Sequence, residues 1–589
     1  MSSSESADRP DPSQQASGAE AEEPAAGASS SSSDNAASPD KQVSSGGASL
    51  VAGGILTSRI TGLLRERVLA YFFGVSAVMD VWTVVFRVPN ILQNLLGEGT
   101  ISAAFIPTYS RLIEEERYDV AGRFAGAIFG LLLATASAIA ALGIVFAEPI
   151  VAVSAPGFLD DAAKVTAGTL DVDRFALSVQ GIKLIFPMTG VLVLSAWALG
   201  VLNSHRRFFV PYVAPVLWNV AIMAALAGGA LYVAGGFLPT GYDTDTLSSL
   251  LLIGCAGAFA GGVLQFGVQL PFVAQVMPSF SFSLSTRVEG VRDAIRAVGP
   301  VIAGRGVAQV SAFVDQVLGS AYLLAGGLSA LRFGLLLYML PISLFGISVT
   351  AAELPELSRL TGDRVNAFVD RLKRSLGQLA FMTVPTVIGY LALGYLVVGA
   401  LLRTGQFGVQ DQWLVYFTLV SYTIGILATS MSRLLQNAFY AIGNTATPAR
   451  LAVVRVVVSV AVAFPAIFWF REFTVPGVTG IVFESRTLSL GAMGLGAGAS
   501  VAAWLELGGL LWALKRELPV RVPWARILRM SLLAIVALLP ALGLWWWIPG
   551  APLILLAIAV GGVYAGTYLG LAYVLGFSEL DPWVRRFRQ

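Results

Sequence analysis

One cysteine and one histidine among 589 residues leave little for redox or metal chemistry. Cys255 has no second thiol to pair with, so no disulfide closes within the chain. It lies in the apolar run "LLIGCAGAFAGGVLQ", where a thiol packs as a small hydrophobe. His205, in "NSHRRF", has no ligand spacing around it and marks a polar loop. No metal site is expected. Charge is scarce as well: Asp, Glu, Lys and Arg make up 13%, against about 25% in soluble domains. The chain has no G-x-x-x-x-G-K-S/T loop, so it hydrolyses no nucleotide by that route. No Ser/His/Asp or paired-carboxylate constellation stands on the loops, and no enzyme chemistry is expected. The basic clusters carry no interleaved aromatics, which leaves nucleic-acid binding without support. Nor does the N-terminus read as a secretory leader, which would be basic and then apolar. Residues 1–47 are rich in Ser, Ala and Gly, with eight acids against two bases, and read as a disordered acidic cytoplasmic tail.

What is present in quantity is apolar sequence, at 56% hydrophobic and a mean hydropathy of +0.74. Stretches of the roughly 20 residues that cross a bilayer fall at 48–75, 78–110, 122–154, 176–203, 211–235, 247–277 and 293–323. They continue at 327–358, 368–402, 412–441, 447–470, 490–514, 525–548 and 551–576. The fold class is therefore an all-α polytopic membrane protein of about fourteen transmembrane helices. The second, eighth and ninth stretches are long enough to hide a break. Basic residues collect on every second loop, as in "SHRRF", "RVEGVRDAIRAVG" and "KRELPVRVPWARILR". Loops such as "APGFLDDAAKVTAGTLDVD" and "FLPTGYDTDTL" are acidic. The positive-inside rule puts the basic loops and both termini in the cytoplasm. "LWWWIPGAP", with Trp545 to Trp547, suits an aromatic belt at the outer face.

An internal echo divides the chain. "FIPTYSRL" at 105–112 and "ELPELSRL" at 353–360 share Pro, Ser, Arg and Leu in register. Each follows a long apolar pair introduced by an arginine, Arg59 in "TSRITG" and Arg305 in "AGRGVA". The offset of about 246–248 residues amounts to six helices, which keeps the repeats parallel in the membrane. Residues 48–277 and 278–516 then form two six-helix lobes, with 517–589 as a two-helix appendage and basic tail.

The charges inside these stretches are the candidate site. Arg59 lies about mid-bilayer in span one, followed by Arg65, Glu66 and Arg67 toward the outer end. Asp80, Arg87 and Glu98 follow in span two, Arg305 with Gln309 and Asp315 in span seven, and Arg332 in span eight. Each arginine at a helix centre facing lipid costs about 2.5–3.5 kcal/mol, so several left uncompensated would cost on the order of 10 kcal/mol. They are expected to face water or paired acids, which explains why "RVPNILQNLLGEGT" keeps its charges and prolines at such depth. An interior richer in arginine than in acid suits an anion, and guanidinium matches phosphate oxygens bidentately. Arg59, Arg65, Arg87, Arg305 and Arg332 are the candidate substrate-binding residues, and Asp80 and Glu98 the candidate gating or ion-pair acids.

These residues carry a resemblance. "SRITGLLRERVLAYFFGVSAVMDVWTVVFRVPNILQNLLGEGTISAAFIPTYSRL", "APGF", "LNSHRRFFVPYVAPVLWN", "GPVIAGRGVAQVSAFVDQVLGS" and "FYAIGNTATP" occur in order from about Ala48 onward. Together they resemble the MurJ/MviN family of lipid II flippases, in the multidrug/oligosaccharidyl-lipid/polysaccharide exporter superfamily. The resemblance implies two six-helix lobes around a cationic cavity, with two C-terminal helices forming a groove for a polyprenyl tail. It places the family's essential span-one arginines on Arg59 and Arg65, an acid on Asp80, and the glutamate of its "EG" element on Glu98. Two departures stand out. Gln93 and Asn94 replace paired arginines, and Leu336, ahead of Pro341, replaces another. Arg87, Arg305 and Arg332 are candidates to restore that charge.

The expected function is alternating-access flipping of lipid II, or a similar polyprenyl-pyrophosphate glycan, in the inner membrane of a bacterium. The expected partners are that lipid, the membrane and the cell-wall synthesis machinery, with the chain itself monomeric. No cofactor is expected, and coupling to membrane potential or a monovalent ion is left open. The alternatives are an exporter of another lipid-linked oligosaccharide or drug, and a non-transporting scaffold for cell-wall enzymes.

Overall fold

Every expected apolar stretch folds as helix in the computed structural model, which describes residues 45–237, 241–360, 365–481 and 488–580. The chain separates into two units, Met1–Ser49 and Leu50–Gln589, and all of the helical bundle beyond the first turn of its first helix belongs to the second. The first helices are α1 (Ser45–Phe73), α2 (Ala77–Leu96), α3 (Glu98–Ala104), α4 (Ile106–Glu114), α5 (Tyr118–Val145) and α6 (Ala147–Ser154). Then come α7 (Asp161–Thr166), α8 (Arg174–Ser204), α9 (Phe209–Val233), α10 (Thr244–Gly267) and α11 (Leu270–Val276). The second half runs through α12 (Val291–Tyr322), α13 (Gly327–Pro341), a π-helical turn at Ile342–Gly346, α14 (Ile347–Ser358) and α15 (Val365–Leu402). It continues with α16 (Val409–Thr423), α17 (Ile426–Ala441), α18 (Ala446–Arg471), α19 (Val475–Thr479) and α20 (Ala492–Glu517). Last are α21 (Trp524–Trp547) and α22 (Leu553–Val574).

Two of the three long stretches do break. The second splits into α2, α3 and α4, and the eighth into α13, the π turn and α14; the ninth stays whole as α15, with Pro385 inside it. Among the described residues, ten helices are long and apolar enough to cross a membrane, eleven if the bent pair α16–α17 counts as one. The stretches outside that number are α1, α2–α4 and α12. These are the ones carrying Arg59, Arg65, Asp80, Arg87 and Asp315. The echoing segments sit in matching places: "FIPTYSRL" runs into α4 and "ELPELSRL" through the end of α14, each in the broken stretch of its half.

Packing follows the apolar faces. α8 is buried over 78% of its most apolar window and packs against α2, α5 and α10, while α9 lies on α10. In the second half α20 packs against α16, α17 and α18, and α15 is shared between α16, α17, α21 and α22. α12 touches α2 and α3 on one side and α13 and α18 on the other, so it lies in the seam between the halves. The broadest apolar cluster crosses that seam, joining Trp82, Phe86 and Leu226 to Phe333, Leu419 and Leu495. Outward faces are apolar and bare, as on α18, and Trp546 and Trp547 are among the most exposed side chains. Such a surface suits lipid rather than water.

Candidate functional site

The lower half of α1 is largely open, apart from Gly54, which is buried against Tyr212 of α9. Ile55, Leu56, Arg59, Ile60 and Leu64 are exposed, whereas Leu69, Ala70, Phe72 and Phe73 are buried. Arg59 lies fourteen residues before Phe73, about 21 Å along the helix at 1.5 Å per residue. It makes no ion pair with any described residue.

Higher on α1 three charges meet. The Arg65 Nη2 donates to Glu66 Oε1 at 2.6 Å, and the Arg332 Nη2 from α13 donates to the same oxygen at 2.7 Å. Glu66 is buried, at 3% exposure. Arg65 is held on its other side by Asn219 Oδ1 of α9 at 3.0 Å and by the Trp218 ring, 4.8 Å from its guanidinium carbon. Asn219 in turn donates to Thr61 Oγ1 at 3.2 Å. Three nearby polar atoms are buried without a hydrogen-bond partner: Glu66 Oε2, Arg65 Nε and Arg332 Nε.

A second set lies along α12. Arg87 Nε donates to Gln316 Oε1 at 3.0 Å, and Gln316 Nε2 donates to the Ser154 carbonyl at 3.2 Å. Arg87 is within electrostatic reach of Asp315 and Arg332, and Asp315 of Arg455 on α18. Arg455 itself donates to Glu506 of α20 at 2.8 Å, and Gln436 of α17 donates to the other oxygen at 2.9 Å. Arg65, Arg87 and Arg332 against Glu66 and Asp315 leave one formal positive charge (3 − 2) near the seam, before Arg59 is counted.

At one end the seam is stitched closed. The Asp80 carboxylate accepts from the Gly326 N–H at 2.7 Å and the Ser329 N–H at 2.8 Å, which is the N-terminus of α13. Arg67 donates to the Ala400 and Leu401 carbonyls at 2.8 and 2.9 Å, the C-terminus of α15. Each charge has the sign that its helix end favours. Behind Asp80, Arg174 forms a two-pronged pair with Asp161, through Nε at 2.5 Å and Nη2 at 3.1 Å. Its guanidinium also lies 3.5 Å from Asp80 and over the Phe158 ring. Two turns close the contact: the Gln406 N–H donates to the Tyr71 carbonyl at 2.9 Å, and Gly74 and Gly405 both hold φ of +53°.

A separate groove of about 330 Å³ runs between α15 and α22. Phe345, Pro385, Tyr390, Val560, Tyr564 and Tyr568 line it. The phenols of Tyr564 and Tyr568 donate to the Pro385 and Phe381 carbonyls, so the tyrosines present mainly ring to the groove.

The family model described as "Lipid II flippase MurJ" matches residues 69–553. The chain belongs to the MurJ family. Curated MurJ relatives include a probable lipid II flippase of Bdellovibrio bacteriovorus, 29% identical over 92% of this chain and 96% of its own length. Another, from Rhizobium meliloti, is 27% identical over 90% of this chain and 94% of its own. A solved structure, "Lipid II flippase MurJ, inward closed conformation", shares the fold with a TM-score of 0.66. It is 20% identical and covers 89% of this chain and 99% of that one. An inward-facing multidrug transporter of the MOP superfamily follows at 0.53 and 16% identity, over 80% of this chain and 98% of its own. This MurJ-family chain is thus a multi-pass membrane protein with a transporter's fold.

Of the residues singled out from sequence, Arg65 and Arg332 meet through Glu66, Arg87 lies within electrostatic reach of Arg332, and Asp80 stands at the stitched end. Arg59 stands apart on open α1. The side chains of Arg305 and Glu98 lie outside the described residues, as do residues 1–44. Arg59, Arg65 and Glu66 precede the matched range of the family model, whereas Asp80, Arg87 and Arg332 fall inside it. Four charged participants went unassigned at the sequence level: Asp161, Arg174, Arg455 and Glu506. Their signals were there. Arg174 is a base at the end of an acidic loop, and Arg455 and Glu506 interrupt the apolar runs "VVRVVV" and "WLELGG".

Proposed function

We propose that this chain moves lipid II from the inner to the outer leaflet of a bacterial cytoplasmic membrane. The observation that carries the reading is the excess of guanidinium over carboxylate near the seam, in a chain of a family described as lipid II flippases. Loop charge orients the molecule: the basic loops and both termini are cytoplasmic, and the end stitched by Asp80 and Arg67 is outside. Fourteen spans then divide into lobes at 48–277 and 278–516, with 517–589 as the appendage.

In the cycle, Arg59 on the open half of α1 meets the headgroup first. Arg65 and Arg332 take the diphosphate deeper, with Arg87 and Arg305 adding positive potential. Guanidinium forks suit phosphate oxygens through paired N–H donors. The polyprenyl tail stays in lipid against the α15–α22 groove, whose lining is mostly apolar. The outer stitches then part and the headgroup leaves, with Asp80 and Glu98 acting on the gate. Only conformational change is required, with no covalent step and no cofactor. Moving an anion outward runs downhill by about 2.3 kcal/mol per charge per 100 mV of interior-negative potential. The membrane potential is therefore the proposed driving force.

Complementation tests the reading. In a strain depleted of its own flippase, the wild-type chain is expected to restore growth, and Arg59→Ala and Arg332→Ala to restore it poorly. A chain that acted only as a scaffold for cell-wall enzymes would not rescue, and failure of the wild-type chain at normal membrane levels would overturn the flippase reading.

A further inference from the structure

We propose that Glu66 is an internal anion that occupies Arg65 and Arg332 until the diphosphate of the substrate displaces it, and that the displacement unlocks α1 from α13. This rests on the flippase reading above and assigns the step that couples binding to opening.

The geometry differs from that of two-pronged pairs elsewhere among the described residues. Arg174 meets Asp161 through Nε and Nη2, using both carboxylate oxygens, and Arg371 meets Glu353 in the same way at 2.9 and 3.3 Å. Those pairs use both partners fully. Glu66 instead spends a single oxygen on two arginines, each through Nη2 alone. Its Oε2 and the Nε of both arginines stay buried and unpartnered. Each guanidinium thus keeps an Nε–H donor that Glu66, with Oε2 itself unpartnered, leaves unsatisfied. Phosphate oxygens accept from such donors, and a diphosphate offers enough oxygens for both arginines.

The charges favour exchange. Two arginines on one carboxylate leave a positive charge, so a second anion is attracted even while Glu66 is seated. Arg65 is fixed to the first half by Asn219 and Trp218. Arg332 belongs to α13, whose N-terminus is held by Asp80. Glu66 is therefore a link between α1 and α13. A ligand that takes both arginines leaves a buried carboxylate without its partners, which is strongly unfavourable until water reaches it. Water reaches it when α1 and α13 separate. Substrate then favours the opened state through differential contacts, as a population shift requires.

The test compares the wild-type chain with Glu66→Gln in detergent micelles, using lipid II as the probe and native mass spectrometry as the affinity readout. Removing the competing anion is expected to tighten lipid II binding by about fivefold or more. In a Cys255→Ala background, maleimide labelling of Val75→Cys at the stitched end reads opening. It is expected to speed up on adding lipid II with Glu66 present, and to be fast with or without lipid II in Glu66→Gln. If Glu66→Gln binds lipid II equally or less tightly while melting cooperatively, Glu66 is a positioning group and the exchange is overturned. Should Glu66→Gln fail to fold, Glu66→Asp, which draws the carboxylate back by one methylene, is expected to tighten binding to a smaller degree. Unchanged or weaker binding there overturns the proposal equally. A wild-type chain that does not bind lipid II removes the flippase reading itself, a result distinct from wild-type binding with no gain in the variant.

Discussion

Arg174 and Asp161 form a pair that is costly to break, since both are buried, at 5% and 0% exposure. Arg174→Ala leaves Asp80 without its guanidinium and Asp161 with only the Lys164 ammonium, 3.1 Å away, at a cost of up to about 3–5 kcal/mol. Thermal unfolding in detergent is expected to show that loss, and Arg174→Lys to recover part of it, because lysine keeps the charge but not the fork. Arg67→Ala is milder, removing charge-assisted hydrogen bonds worth about 1.5–3 kcal/mol from the stitched end. Its expected effect is faster labelling of Val75→Cys with little change in melting. His205 gives a pH signature. Burial, and then the nearby Arg207, hold its pKa below the ordinary value, so the folded chain prefers the neutral ring. Stability from this source is complete above about pH 6.5 and is lost as pH falls through the lowered pKa. His205→Asn is expected to flatten the acid-side fall in melting temperature; an unchanged fall would place its origin elsewhere. At this scale the sequence reveals which residues are charged at depth and little about whom they meet. Arg65 and Glu66 are neighbours in the chain, but Arg332 lies 266 positions from Glu66. Nothing local announces a shared oxygen, or that Asp161 in an acidic loop is wholly buried.

Helices were the most legible level. Apolar length alone located the stretches, because a lipid-facing helix needs little else. The breaks in the second and eighth stretches were legible from excess length, while their form was not. The π-helical turn at Ile342–Gly346 follows Pro341 and packs against α13, α14, α15 and α17 of its own half, while beyond the split at Gly97 α3 meets α8 and α12. The turns carry their own prediction. A Cβ on Gly405, already at positive φ, would strike the Tyr71 carbonyl. Gly405→Ala is therefore expected to loosen the stitched end and raise Val75→Cys labelling, whereas Gly236→Ala, with open space around it, is expected to leave labelling unchanged. Equal labelling in both would separate that turn from the gate.

For the whole molecule, the two halves repeat in element order and meet along α12 in a seam with more guanidinium than carboxylate. The repeat was legible because the two echoing segments keep an offset of six helices. The closure at one end was not, since it is made by backbone amides and carbonyls that every sequence possesses. A potassium diffusion potential, interior negative, is expected to speed outward movement of lipid II in proteoliposomes, and a potential of the opposite sign to slow it. Insensitivity to either would remove the membrane potential as the driving force.

The most direct measurement is outward flipping of lipid II by the purified chain in proteoliposomes, read as headgroup that becomes reachable from the far side. The wild-type chain is expected to flip, Arg332→Ala and Arg59→Ala to lose about tenfold or more in rate, consistent with charge-assisted contacts of about 1.5–3 kcal/mol, and Arg332→Lys to fall between. Wild-type flipping that is indifferent to both alanine variants would contradict the account.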